Sequence, residues 1–395
     1  MMRLVKLTVH ALVLLCLVCP WHAGAGQLTV TNGQFSLDGK SPFRAVGVNY
    51  FDAVNRTLNN PADRSAILGL RMLARYEVPF VRVMFGGFWP NELRVYLTDP
   101  ARYFAVLDEF VGAAEQAQVG IVASLAWNYA AIPDLVGEPA SAWGQPDSKT
   151  HQLFRRYVSE VVGRYHKSPA IWMWEFGNEM ALYADLPNSD QWRPKIDVSK
   201  GTPAFRGPPD DLKGKDVMVA LAEFSKTVRV VDATTPISSG NALPRPYAFN
   251  NARFAKWTAD SEEQFCEMLG RDNPAGFDSV SIHIYPHYKG YFGARDRDYN
   301  AILAPVARCA KRANKPVFAG EFGVAENESH GDPEGVRGAF NKLLDSLVAN
   351  DVGLAAAWVF DFSFQNSSYN ITAVNQRAYQ LEELRRVNRI LRAGK

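Results

Sequence analysis

The sequence is poor in cysteine and balanced in charge, and each shortage removes a class of function. Cys266 and Cys309 are the only cysteines beyond the first 25 residues. Two thiols with no histidine at ligand spacing make no zinc cluster, although an oxidising compartment could pair them as readily as leave both free. The 43 basic and 41 acidic residues nearly cancel. Loss of Arg3 and Lys6 with the leader leaves 41 of each, so neither nucleic acid nor an anionic membrane is expected as a partner. Beyond the leader no uncharged run approaches the roughly 20 residues of a membrane span. No G-x-G-x-x-G follows any apolar run, and Gly86-Gly87 continues into Phe88-Trp89-Pro90, which is no phosphate cradle. Ser238-Ser239-Gly240 lacks the first glycine of a nucleophile elbow. His283 and His287 are four apart but lead into Pro286 on a strand-like run, not on the helix that a zinc protease motif requires. No metal and no cofactor is expected.

What is present starts with a leader. Arg3 and Lys6 precede an apolar run from Leu7 to Val18, and Ala23-Gly24-Ala25 offers a cleavage site. Residues 1–25 therefore read as a signal peptide, and residues 26–395 as one secreted catalytic domain, extracellular or periplasmic and monomeric. Residues 28–40 hold two short alternating runs punctuated by Asn32-Gly33 and Asp38-Gly39, which predicts a β-hairpin. Eight apolar runs follow, at 45–50, 79–85, 120–127, 171–176, 237–240, 279–285, 317–322 and 354–360. They alternate with amphipathic stretches near 62–76, 102–118, 148–166, 211–231, 260–270, 298–313, 334–349 and 376–392. Near-continuous apolar strands separated by helices imply a parallel sheet covered on both faces, and eight units imply an α/β fold closed as a (β/α)8 TIM barrel.

In such a barrel the chemistry sits at the carboxyl ends of the strands. The polar residues found there are Arg82 on the second run, Asn178 and Glu179 after the fourth, His283 and Tyr285 on the sixth, Glu321 on the seventh and Trp358 on the eighth. Glu175, two turns of the pleat deeper, reads as a buried partner of Arg82. Two carboxyls about 5 to 5.5 Å apart suit double displacement at an acetal, one as acid/base and one as nucleophile. Arg82 and the Tyr285 hydroxyl are placed to hold one of them anionic while the other keeps its proton.

Two of these runs carry motifs. Trp174-Glu175-Phe176-Gly177-Asn178-Glu179 and Pro316-Val317-Phe318-Ala319-Gly320-Glu321-Phe322-Gly323 resemble the acid/base and nucleophile signatures of glycoside hydrolase family 5, the cellulase-like family of retaining barrel enzymes. The resemblance implies Glu179 as acid/base and Glu321 as nucleophile. It also implies Arg82 beside the nucleophile, Asn178 on the sugar 2-hydroxyl, His283 and Tyr285 around the carboxylates, and Trp358 as the platform under the sugar. Two departures stand out: Trp127-Asn128-Tyr129 has no histidine where the family usually has one, so that contact is either altered or supplied by Asn128, and Met180 rather than proline follows Glu179 into a long loop. Strand-end aromatics, among them Trp89 and Trp127, with Tyr50, Phe51, Phe88, Tyr129, Trp143, Tyr183, Phe364 and Tyr369, suit the apolar faces of sugar rings. The expected function is hydrolysis of a β-linked oligo- or polysaccharide, a β-1,4-glucan or β-mannan, in endoglucanase or mannanase fashion. A non-catalytic carbohydrate-binding barrel and an exo-acting β-glycosidase are the alternatives. Asn55-Arg56-Thr57, Asn327-Glu328-Ser329, Asn366-Ser367-Ser368 and Asn370-Ile371-Thr372 are glycosylation sequons.

Overall fold

The computed structural model describes residues 26–286, 290–295, 297–326 and 332–394. The leader, His287 and the sequon at Asn327 lie outside the described residues. The chain starts as an antiparallel hairpin, β1 (Leu28–Thr31) and β2 (Gln34–Leu37). Asn32 and Gly33 both take positive φ at the turn, 51° and 71°, the geometry that an Asn-Gly pair supplies and that matches strand twist. Its apolar side, Leu28, Phe35 and Leu37, packs on Phe80, Trp172, Phe318 and Leu354 at the strand beginnings. The hairpin thus seals the amino end of the barrel and leaves the other end open for a site.

The eight remaining strands are β3 (Ala45–Asn49), β4 (Phe80–Met84), β5 (Gly120–Ala126), β6 (Ile171–Gly177), β7 (Ile237–Ser238), β8 (Val280–Ile284), β9 (Val317–Phe322) and β10 (Leu354–Ala357). They pair in parallel in the order β7-β6-β5-β4-β3-β10-β9-β8. The seam between β7 and β8 is bridged by Asp278 N to Ile237 O at 2.9 Å and by Ser281 Oγ to Asn241 O at 2.9 Å. This is a (β/α)8 TIM barrel. Its outer helices, at Ser65–Arg75, Pro100–Ala117, Lys149–Tyr165, Gly214–Val231, Glu262–Asp272, Tyr299–Arg312, Pro333–Ala349 and Ala378–Arg392, fall on the eight amphipathic stretches. Every residue of the parallel strands is buried, as a sheet covered on both faces requires.

The β7 run ends two residues earlier than expected. Gly240 turns the chain with φ 68°, and a Cβ there would lie 1.8 Å from Gly177 O. Only glycine allows β7 to close so tightly on the end of β6. That contact sets the position of Glu179, whose N donates to Gly240 O at 2.9 Å. Cys266 and Cys309 are disulfide-bonded, tying two outer helices. Among the described residues no helix is long and apolar enough to cross a membrane.

Candidate active site

The centre of the site is Arg82, fully buried on β4. Its Nε donates to both oxygens of Glu175, at 2.8 and 3.1 Å, and its Nη1 donates to Asn49 Oδ1 at 3.1 Å and to Glu321 Oε1 at 3.0 Å. Its Nη2 donates to Asn178 Oδ1 at 2.8 Å. A guanidinium with five donors in a fixed fork can hold four strands at once, and Asn49 extends the clamp by donating to Gly320 O and Ala356 O. Asn49 was not among the expected site residues; its place beside Arg82 in the β3–β4 ladder is a register effect invisible in one-dimensional sequence.

Glu321, at the end of β9, is 5% exposed. Besides Arg82 it accepts a 2.6 Å hydrogen bond from the Tyr285 hydroxyl. Glu179 lies just beyond β6. Strict alternation would send Asn178 away from Glu179, but β6 ends at Gly177 and Glu179 adopts φ 55°, so both side chains reach the mouth. Burial raises the Glu179 carboxyl above the ordinary glutamate range, partly offset by Arg82. One carboxylate oxygen of Glu179 and one of Glu321 lie within 4.8 Å of each other.

His283 Nδ1 sits 2.8 Å from Glu179 Oε1 and 3.6 Å from Glu321 Oε2. Burial depresses the imidazole pKa to about 3, so the ring is neutral. A neutral ring donates or accepts at Nδ1 according to its tautomer, and so can keep contact with Glu179 whether that group is protonated or not. The nitrogen and two carboxylates are close enough to bracket a cation. Arg82 already stands against Glu321, however, and its charge opposes a second one there.

Aromatic rings form the walls. Trp127 lies under Arg82, with the guanidinium carbon 4.2 Å from the ring centroid, and faces Trp358 at 6.1 Å. Trp358 is followed by a cis peptide bond and is held by Nε1 donating to Gln365 Oε1 at 2.8 Å. A cavity of about 710 Å³ is lined by Phe51, Trp89, Trp127, Glu179, Glu321 and Trp358, among others. A second, of about 430 Å³, shares Trp89, Trp127, Asn178 and Glu179 and continues past Asn128, Tyr129 and Tyr183 to Trp192 and Lys195. Asn128 already donates to Phe88 O and accepts from Ala130 N, so it braces two loops at the cleft. Tyr50 and Trp143 are in the core, and Tyr369 packs against Tyr285. The polar wall at Asp52, Asn55 and Arg56 comes from a short helix, Ala53–Asn59, and the residue just before it, which the apolar pattern does not mark.

With these residues converging at the carboxyl end of a TIM barrel, the profile described as cellulase (glycosyl hydrolase family 5) matches residues 72–361. The chain belongs to glycosyl hydrolase family 5. It is 26% identical over 328 residues to mannan endo-1,4-beta-mannosidase F of Aspergillus clavatus, an alignment covering 77% of this chain and 66% of that one. It is 26% identical over 170 residues to mannan endo-1,4-beta-mannosidase A of Podospora anserina, covering 39% and 45%. The chain thus spans at most about two thirds of the length of these curated relatives. Among solved structures, the family 5 mannosidase from Rhizomucor miehei superposes with a TM-score of 0.64 at 14% identity, covering 95% of this chain and 100% of that one. The endo-beta-1,4-mannanase from Thermotoga petrophila gives 0.59 at 15% identity, covering 89% and 77%. At such identities the likeness is one of fold.

The long loop that departs from the family pattern, 180–210, is pinned at several points. Arg206 and Asp134 form a buried ion pair at 2.6 Å, Arg193 pairs with Asp211 and Asp185 with Arg271, and Arg245 donates to the carbonyls of Ala181, Leu182 and Ala184. Asn91 Nδ2 reaches Ser199 O at 3.1 Å, drawing the loop across to the β4 side. Lys200 thereby enters the larger cavity and Lys195 the smaller.

Proposed function

We propose that residues 26–395 form a single secreted catalytic domain, preceded by a signal peptide at 1–25. The domain is a retaining glycosidase that cleaves β-1,4-linked mannan, with Glu321 as nucleophile and Glu179 as acid/base. The observation that carries the reading is the pair of glutamates with oxygens within 4.8 Å in unlike surroundings. That gap is nearer to the roughly 5 to 5.5 Å of double displacement than to the roughly 6.5 to 9.5 Å of an inverting pair. Mannan rather than glucan is favoured by the names of the curated relatives.

A Glu321 oxygen attacks the anomeric carbon as its bond to the leaving oxygen breaks, while Glu179 transfers its proton to that oxygen. Glu179, now a carboxylate, takes a proton from water as the water oxygen attacks the anomeric carbon and frees Glu321. Arg82 and Tyr285 orient Glu321 by hydrogen bonds. Asn178 spends its oxygen on Arg82 and so offers the sugar 2-hydroxyl a donor, Nδ2. Trp358 and Trp127 supply the apolar faces.

The test is hydrolysis of β-1,4-mannan, β-1,4-glucan and β-1,4-galactan by the purified protein, with the first-formed anomer read by proton NMR. Mannan is cleaved fastest and the β-anomer appears first. No cleavage of any of these β-glycans, or first formation of the α-anomer, overturns the reading; preference for glucan overturns the substrate.

A further inference from the structure

The loop at 180–210 brings charge as well as shape to the cleft. Lys200 lines the larger cavity and Lys195 the smaller, while Asn178 and Glu179 line both, so one loop sets an ammonium group into each of two adjoining spaces. The backbone that carries them is held. Val198–Lys200 is a single 3-10 turn whose cap, Asp197, accepts from Ser199 N at 3.1 Å and donates its own N to Thr202 Oγ1 at 2.8 Å. Asn91 Nδ2 fixes the far side of that turn through Ser199 O at 3.1 Å. Arg193, two residues before Lys195, grips Asp211 through Nε at 2.6 Å and Nη2 at 3.2 Å.

The other charges on the two cavity walls are already matched. Arg56 is paired with Asp52 and Asp361, and Arg193 with Asp211. Glu92 Oε2 accepts from the backbone N–H groups of Phe88 and Trp89 and from Asn55 Nδ2. Glu321 is held by Arg82 and Tyr285, and Glu179 stands beside His283. Lys195 and Lys200 differ: both are exposed, and among the described residues neither has an ion-pair partner. A neutral glycan offers such a group nothing that water does not, whereas a fixed anion on the chain is drawn to it. The centre of the site has the opposite preference. Arg82 there faces two carboxylates, Glu175 and Glu321, so an anionic group on the attacked ring itself is repelled.

We propose that the loop selects a glycan bearing anionic groups, uronate carboxylates or phosphate esters, on rings other than the one attacked, with Lys195 and Lys200 as the residues that recognise them. This rests on the reading of the protein as a mannan-cleaving glycosidase.

The experiment compares kcat/KM on neutral β-1,4-mannan, carboxymethyl mannan and phosphorylated mannan, at about 10 mM and about 1 M salt, where charges are screened over roughly 30 and 3 Å. At low salt an anionic chain exceeds the neutral one by about tenfold, from two exposed charge contacts each worth up to roughly fivefold, and at high salt the advantage vanishes. The derivative with the larger advantage identifies the group as carboxylate or phosphate. Lys195→Gln/Lys200→Gln abolishes the advantage at low salt. Lys311→Gln, on the outer helix Tyr299–Arg312, leaves it unchanged and so separates the loop from the overall charge of the protein. Neutral mannan cleaved as well as both derivatives at low salt, or an equal loss in Lys311→Gln, overturns the charge preference and leaves the glycosidase reading standing. No cleavage of any of the three overturns that reading and the preference with it.

Discussion

Replacing Arg82 by methionine separates what the guanidinium does for the fold from what it does for the reaction. Arg82 and Glu175 are both fully buried, 2.8 Å apart. Removing one member of such a pair strands a charge and costs roughly 3 to 5 kcal/mol. Burial already raises the Glu175 carboxyl to about 7, even against the attraction of Arg82. Without Arg82 it rises further. For an acid whose folded pKa exceeds its unfolded one, the folded state binds the extra proton, so stability is present below the unfolded pKa and lost as pH climbs to the folded one. In the wild type this loss runs from about 4.5 to about 7 and then levels. In Arg82→Met it continues above pH 7 at up to about 1.4 kcal/mol per pH unit. Adding Glu175→Gln removes the stranded charge and with it most of the deficit and the extra slope. Urea denaturation at pH 5, 7 and 8 reads all three proteins. Activity behaves differently: Glu321 loses a donor in both variants, so both remain about 100-fold or more below wild type even where stability returns. A double variant as unstable as the single one, or a single variant whose pH slope matches the wild type above pH 7, refutes charge compensation as the role of Arg82.

Glu179→Ala should cost about 10²- to 10⁴-fold on mannan yet far less on activated aryl glycosides, and the alkaline limb of kcat/KM, set by a carboxyl that burial raises, should disappear with it. Azide added to that variant should yield the β-glycosyl azide, read by NMR; the α-azide would exchange the roles of the two glutamates. His283, a base with its pKa lowered from 6.5 to about 3, contributes stability above pH 6.5 that is lost as pH falls toward 3, at most about 5 kcal/mol, so His283→Gln should flatten the acid side of the stability curve measured by urea. The Cys266–Cys309 bridge closes a loop with a sequence separation of 43, worth roughly 4 kcal/mol by chain entropy, and Cys266→Ala/Cys309→Ala should lower the urea midpoint accordingly.

The fold was legible because its signals are periodic and repeated. Each strand buried on both faces leaves an apolar run, each covering helix leaves a stripe, and eight alternations admit few architectures. The four short helices at Ala53–Asn59, Pro90–Thr98, Ala131–Val136 and Ala248–Phe254 were not, because a helix of six to nine residues in a strand-end loop answers to its neighbours more than to a stripe of its own. The pairing of the two cysteines was equally open, since it depends on the separation of the helices that carry them rather than on any local pattern.

For the site, legibility followed distance along the chain from a strand end. Arg82, His283 and Glu321 sit within strands whose alternation sets their direction, and Tyr285 follows directly, so residue type and position were enough. Glu179 is reached by a different route. Alternation assigns it the correct side for the wrong reason, since the strand has ended and a left-handed residue does the turning, with Gly240 making room just past the end of β7. The same turn also delivers Asn178, which alternation alone sends outward. Asn49 and Asn55 show the limit more sharply: one ends the first barrel strand and the other sits in the short helix after it, and nothing local separates the one that braces Arg82 from the one that lines the larger cavity. Their roles arise from partners 33 and 37 positions away, Arg82 and Glu92, brought together by the pairing of β3 with β4 and the packing of the segments that follow them. The pair of carboxylates is therefore written in strand ends, whereas the walls of the cavity around it are written in contacts between loops.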